Sequence, residues 1–153
     1  MKFPHFLIVT LLLGSLAAAA DPLETVKALK QASAAGKEAD ALAFFGKAPG
    51  KSDLDHGYFN QKAKKLAEAL GKENVEIVSG KIEKDCAVVM VVTKDGEKKD
   101  YEPVYLFREG KAWHVCPFTN WRKLELSAER KAALEVLEKW YDEQDLSSSG
   151  FDF

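Results

Sequence analysis

The sequence predicts an α+β fold, with N-terminal helices packed on a curved four-stranded antiparallel sheet and one further helix at the C-terminus. Three observations carry this. Apolar residues recur at helical spacing up to Leu70, the spacing changes to alternate residues from Val75 to Cys116, and two glycine turns cut that second region into hairpins. Helices followed by a run of strands, rather than alternating with them, place the helices on one face of a meander.

The chain has 153 residues, 46% of them hydrophobic and 30% charged. That is enough apolar material to rule out a disordered or low-complexity polymer. A formal net charge of −2 supplies no basic face for a nucleic acid. Residues 1–20 read as an export signal. Lys2 gives a positive start, residues 6–16 are apolar apart from Thr10, Gly14 and Ser15, and Ala18 and Ala20 offer the small residues that precede cleavage. The apolar stretch is about half of the ~20 residues that span a bilayer, so a cleaved signal is expected in place of an anchor. Export to the periplasm or outside the cell, in a bacterium, follows, with no stable membrane span after cleavage. Removing residues 1–20 leaves 133, with 21 basic and 24 acidic side chains, or −3.

The mature chain opens on a helix. Asp21 can cap, Pro22 suits the first helical position, and Leu23, Val26 and Leu29 form a stripe running toward Gly36. A short second helix spans about residues 38–45. Gly46, Pro49, Gly50 and Ser52 mark a loop, and a third helix covers residues 55–70 with Phe59, Ala63, Leu66 and Leu70 on one face. Strands are expected over residues 74–79, 86–93, 98–108 and 111–116, with turns at Asp95-Gly96 and Glu109-Gly110. Ser127 can cap a last helix reaching about Gln144, and residues 146–153 read as a disordered tail. The organisation is then a signal at 1–20, a cone-like domain at 21–117, and a linker and helix at 118–145 packed on the same domain.

Two-residue turns fix a register. With Lys94 opposite Glu97 and Arg108 opposite Lys111, Cys86 stands opposite Tyr105, Tyr105 opposite His114, and Pro103 opposite Cys116. One sheet face then carries Ala87, Val89, Val91, Val104, Leu106, Trp113 and Val115, the expected main core. The other carries Cys86, Val88, Met90, Tyr101, Pro103, Tyr105, Phe107, His114 and Cys116, an apolar face dotted with polar groups. Such a face suits a second pocket, a self-association surface or a site under the C-terminal helix.

The Asp95-Gly96 hairpin and the run Val104-Tyr-Leu-Phe-Arg-Glu-Gly-Lys-Ala-Trp-His-Val115 resemble the last strands of the nuclear-transport-factor-2-like (cystatin-like) superfamily, most of all its small secreted bacterial members. The likeness covers about residues 22–116. It implies a curved sheet and helices enclosing a cone-shaped pocket, used for catalysis in some members and for binding or dimerisation in others. Two departures stand out: no cysteine near residue 20 for lipid attachment, and a C-terminal helix outside the usual domain.

An oxidising compartment favours a Cys86–Cys116 disulfide, whereas strands two spacings apart put the Cα atoms at ~10 Å, beyond the ~7 Å limit. Both outcomes stay open on the sequence. Candidate binding residues are Tyr101, Tyr105, Phe107 and His114 on the aromatic face, and Tyr58 within the cone. No catalytic set is assigned. His114 with Cys116 fits a hydrogen-bonded histidine beside structural thiols better than a nucleophile–base pair. The resemblance implies that proton-transfer chemistry of an isomerase or dehydratase would rest on an acid, histidine or tyrosine in the cone, for which Tyr58, His56, Tyr101, Tyr105, Glu102 and His114 are eligible, Glu102 lying near the rim of the core face. His56, His114 and the two cysteines have no zinc-like spacing, and Asp53-Leu-Asp55-His-Gly57 lacks the late glutamate of a calcium loop, with Lys64 in its place. No cofactor or metal is expected. The expected role is that of an exported, non-catalytic binding domain for a small apolar ligand or a protein partner, with a homodimer as one form. A small proton-transfer enzyme and a structural envelope protein are the alternatives.

Overall fold

The structure, a computed structural model, describes residues 21–46 and 53–149. The expected signal at 1–20 and residues 150–153 of the expected tail lie outside the described residues. The architecture is α+β, as the sequence predicts. Helix α1 (Pro22–Ala34) is followed by α2 (Glu38–Leu42), a single 3₁₀ turn (Ala43–Phe45) and α3 (Asp53–Leu70). Strands β1 (Val75–Glu83), β2 (Cys86–Asp95), β3 (Lys98–Glu109) and β4 (Ala112–Cys116) form one antiparallel meander in sequence order. A 3₁₀ turn (Trp121–Lys123) leads into α4 (Ala128–Ser149).

Local chemistry sets the helix ends. The Asp21 side chain accepts from the Leu23 amide at 2.8 Å, which satisfies one orphan donor of the first turn. At the other end Gly36 takes φ +75, so its amide and that of Lys37 fold back to the carbonyls of Ser33 and Ala32 at 3.0 and 2.9 Å. Helix α3 ends against α1: Lys30 Nζ donates to the carbonyls of Leu70 (3.0 Å) and Lys72 (2.7 Å). Helix α4 starts where Ser127 Oγ accepts from the Arg130 amide at 3.2 Å, and it continues through Ser149, into the region read as a tail. No breaker intervenes before Gly150.

Both predicted hairpin registers shift by two residues. Asp95 pairs with Lys98 and Glu109 with Ala112, so Cys86 lies opposite Phe107, Phe107 opposite His114 and Tyr105 opposite Cys116. The cause is the turn chemistry. Gly96 and Gly110, at φ +62 and +63, occupy the first central position of each turn, where the sequence reading placed them second. A slip of two preserves the side-chain faces, so the expected core face holds in full. Ala87, Val89, Val91, Val104, Leu106, Trp113 and Val115 pack with Val26, Leu29, Phe45, Phe59 and Leu70 in the first core. Strand β1 is longer than expected and carries a bulge between Ile77 and Ser79, which leaves Val78 without a cross-strand partner and 45% exposed.

The aromatic face is also closed. Cys86, Val88, Met90, Tyr105 and Cys116 pack under α4 against Ala133, Leu134, Leu137, Tyr141 and Trp121, with Tyr101 and Phe107 at the margin of this second core. Of the three roles open to this face, cover by the C-terminal helix is the one the structure shows: α4 lies over it within the same chain. Cys86 on β2 and Cys116 on β4 are both free and buried, with β3 between them and two residues of offset along the sheet.

Candidate functional site

The first core does not close at the end of the sheet that carries the β2–β3 turn. A recess of about 60 Å³ remains between the last turn of α3 and the sheet. Leu66, Ala69 and Leu70 of α3 form one wall, and Val75, Val91 and Val104 of three successive strands form the other. Polar groups stand among the remaining lining residues: Thr93, Glu102 and Thr119, beside Pro103, Cys116 and Pro117. Glu102 and Thr119 are exposed, whereas Leu70, Val75, Val91 and Val104 are buried, so the interior is apolar and the mouth polar.

The position of the recess follows from the chain. Helix α3 is anchored at its C-terminus by Lys30 and by Ser33 Oγ, which donates to the Ala67 carbonyl at 2.5 Å. That contact draws α3 toward α1. A Cβ placed at Gly71 would meet Ser33 Oγ at 2.6 Å, so only glycine lets the helices approach this closely. On the far side, Pro117 ends β4 and the chain turns away, with Phe118 stacked on Tyr58 (centroids 5.6 Å) and edge-on to Phe59 (6.0 Å).

The five candidate binding residues lie elsewhere. Tyr105 is 2% exposed beneath α4, and burial, followed by the Glu138 and Asp142 carboxylates, pushes its hydroxyl up to about 12. Phe107 is half-buried with the Arg130 guanidinium 5.1 Å from its ring centre, and Tyr101 sits at the margin of the same core. His114 is half-buried on the edge strand β4. Its ring packs so close to Gly46, at φ +67, that a Cβ there would come within 2.8 Å of it. Tyr58 is 54% exposed, with Lys62 Nζ 5.4 Å from its ring centre. None of the five lines the recess, and the structure does not gather them into one site.

Nor does nucleophilic chemistry find its groups. The Cys116 thiol donates to the Phe118 carbonyl at 3.6 Å, and burial pushes it up to about 11. Burial likewise pushes Cys86 up to about 11, its thiol directed at the Arg130 carbonyl at 3.9 Å. Both stay protonated near neutral pH, the unreactive form of cysteine. Among the described residues, no three His, Cys, Asp or Glu side chains come together as a metal site, and no helix is long and apolar enough to cross a membrane. Glu102 was visible in the sequence as a rim carboxylate. A pocket between helices and sheet was implied by the family resemblance, but its place beneath Glu102 was not, because its walls come from the tertiary placement of α3.

No family model matches the chain, and no curated protein is significantly similar to it. Among solved structures, a Campylobacter jejuni protein described as an NTF2-like transpeptidase is similar over 62% of this chain and 96% of its own length. The identity is 16% and the TM-score 0.47, a level of likeness that assigns neither family nor activity.

Proposed function

We propose that this chain is an exported, non-catalytic binding domain of the nuclear-transport-factor-2-like type, which receives an apolar group of a small ligand or partner in the recess between α3 and the sheet. One observation carries the reading: an apolar recess with a polar mouth opens in the core between α3 and the sheet. Close packing is the rule in protein interiors, and an opening of this kind is a default binding site. Its volume of about 60 Å³ is less than half of the ~150 Å³ that admits benzene in an engineered cavity, so it suits a branched group of about three to four carbons. The exposure of Glu102 to water favours binding over proton transfer, since a catalytic base of this kind works best when enclosed.

Two measurements test the proposal. The full chain, expressed in a bacterium, is expected in the periplasmic fraction with Asp21 as its first residue. Native mass spectrometry of the purified protein is expected to detect binding of small branched aliphatics that Ala69→Trp, filling the exposed mouth, abolishes. A full-length cytoplasmic product, or binding unchanged in Ala69→Trp, would overturn the corresponding half of the reading.

A further inference from the structure

The mouth of the recess carries one formal charge, and its sign selects the ligand. Of the residues lining the recess, Glu102 alone bears a carboxylate; the others are apolar, hydroxyl-bearing or the neutral thiol of Cys116. No described residue hydrogen-bonds or ion-pairs with the Glu102 carboxylate. Of the cations of the same hairpin, Lys94 pairs with Glu76 at 2.5 Å, Lys98 pairs with Asp100 at 3.5 Å, and Lys99, across from Lys94, stands on the opposite face of the sheet from Glu102. Glu102 lies directly across from Val91, itself a wall residue, so the carboxylate rises from the edge of the apolar surface. The Thr93 and Thr119 hydroxyls add two further acceptors at the rim.

From this we infer that the recess binds an aliphatic primary ammonium, its short branched tail among Leu66, Leu70, Val91 and Val104 and its cationic head on Glu102. An ammonium brings three donors to a rim of acceptors, and its charge complements the unpaired carboxylate, whereas a carboxylate ligand would meet like charge. A free alkylamine and the N-terminal residue of a peptide present the same chemistry. The inference rests on the recess being a binding site, and the experiment separates the two claims.

Methyl-detected NMR of the full purified chain near neutral pH is titrated with three probes of matched shape: isopentylamine, 3-methylbutan-1-ol and isovalerate. The amine is expected to shift the Leu66, Leu70, Val91 and Val104 methyls and to bind about five- to tenfold more tightly than the alcohol, with the carboxylate weakest. Glu102→Gln, a change at an exposed side chain, is expected to bring the amine to the affinity of the alcohol and leave the alcohol unchanged. Added salt should weaken the amine alone. Leucinamide binding more tightly than isopentylamine would point to a peptide N-terminus as the source, and the reverse order to a free amine. Equal binding of all three probes, or Glu102→Gln without effect on the amine, would overturn the ammonium inference while leaving the recess intact. If no probe moves any of the four methyls, the binding reading itself falls.

Discussion

The two faces of this sheet are both buried, but by different means. The first is covered by α1, α2 and α3, is hydrophobic apart from Thr93 and Glu102 near its edge, and leaves a recess there. The second is covered by α4 and the Trp121 turn and contains two thiols and two tyrosines. The polar groups of the second core are tied to its cover. Trp121 Nε1 donates to Glu138 Oε2 at 3.0 Å, and Arg122 Nη1 reaches both oxygens of the same carboxylate at 2.9 and 2.7 Å while its guanidinium stacks 4.4 Å from the Trp121 ring. At the start of α4, Arg130 Nη2 donates to the Arg108 carbonyl at 3.2 Å. An apolar face decorated with polar groups can be closed by one helix if that helix satisfies them. A face whose interior lacks them needs only volume, and imperfect filling of that volume leaves a site.

The largest effects test whether both covers belong to one cooperative unit. Leu106 and Leu137 are each 0% exposed, one in each core. Truncation of either to alanine is expected to cost about 2–5 kcal/mol in urea unfolding, in a single transition that leaves m unchanged. A Leu137→Ala cost below about 1 kcal/mol, with Leu106→Ala at full cost, would make α4 an appended cover and not part of the core. Next in size is Trp121→Phe, which removes both volume and the bond to Glu138. About 1–3 kcal/mol is expected, read by the same unfolding curves.

Titration separates the faces further. The bond from Arg122, then that from Trp121, holds the Glu138 carboxyl below its ordinary value. Its contribution is therefore present above the unfolded value and is lost as pH falls through the lowered folded one. Stability should decline below about pH 4.5, and Glu138→Gln should flatten part of that limb. At the alkaline end the sign reverses. Cys86 and Cys116, pushed up to about 11, and Tyr105, pushed up to about 12, stay protonated in the fold and ionise more readily when unfolded. Stability from these groups is intact below about pH 9 and falls from there toward pH 12. Tyr105→Phe should remove the part of the loss above pH 10, whereas Leu106→Ala should shift the whole curve without changing its shape.

How much of this was legible differs between the faces. Alternation along β2, β3 and β4 assigned every residue of the first face correctly, even with both turns misplaced, because a slip of two keeps each side chain on its side. Pairing partners were not legible: Asp95-Gly96 and Gly96-Glu97 are both acceptable turns, and the choice rests on strand twist and on the packing of Phe107 and His114. Tyr105 and Phe107, two of the aromatic residues named for binding, were recognised as needing cover. What covers them depends on the path of residues 117–127, which carries no periodic signal. The place of the recess was least legible of all. It arises because Lys30 and Ser33 fix the end of α3 through backbone carbonyls, and such contacts leave no pattern in the sequence.

The smallest effect expected is also the most discriminating. Ser127→Ala removes the cap that holds the Arg130 amide at the start of α4 and leaves every buried apolar group in place. About 1 kcal/mol is expected in thermal or urea unfolding. If α4 opens locally before the domain unfolds, the loss falls on that opening, and the Cys86 thiol beneath Arg130 becomes accessible sooner. Alkylation at pH 8 reads this directly. A thiol near 11 is roughly a hundredfold less ionised there than one at 9, so the intact protein reacts slowly and every opening counts. Faster labelling of Cys86 in Ser127→Ala, with the Val91 and Val104 amides still protected in hydrogen exchange, would establish that the second face opens while the recess stays formed. Equal acceleration at both places would mean that the two covers, so different in chemistry, rise and fall together.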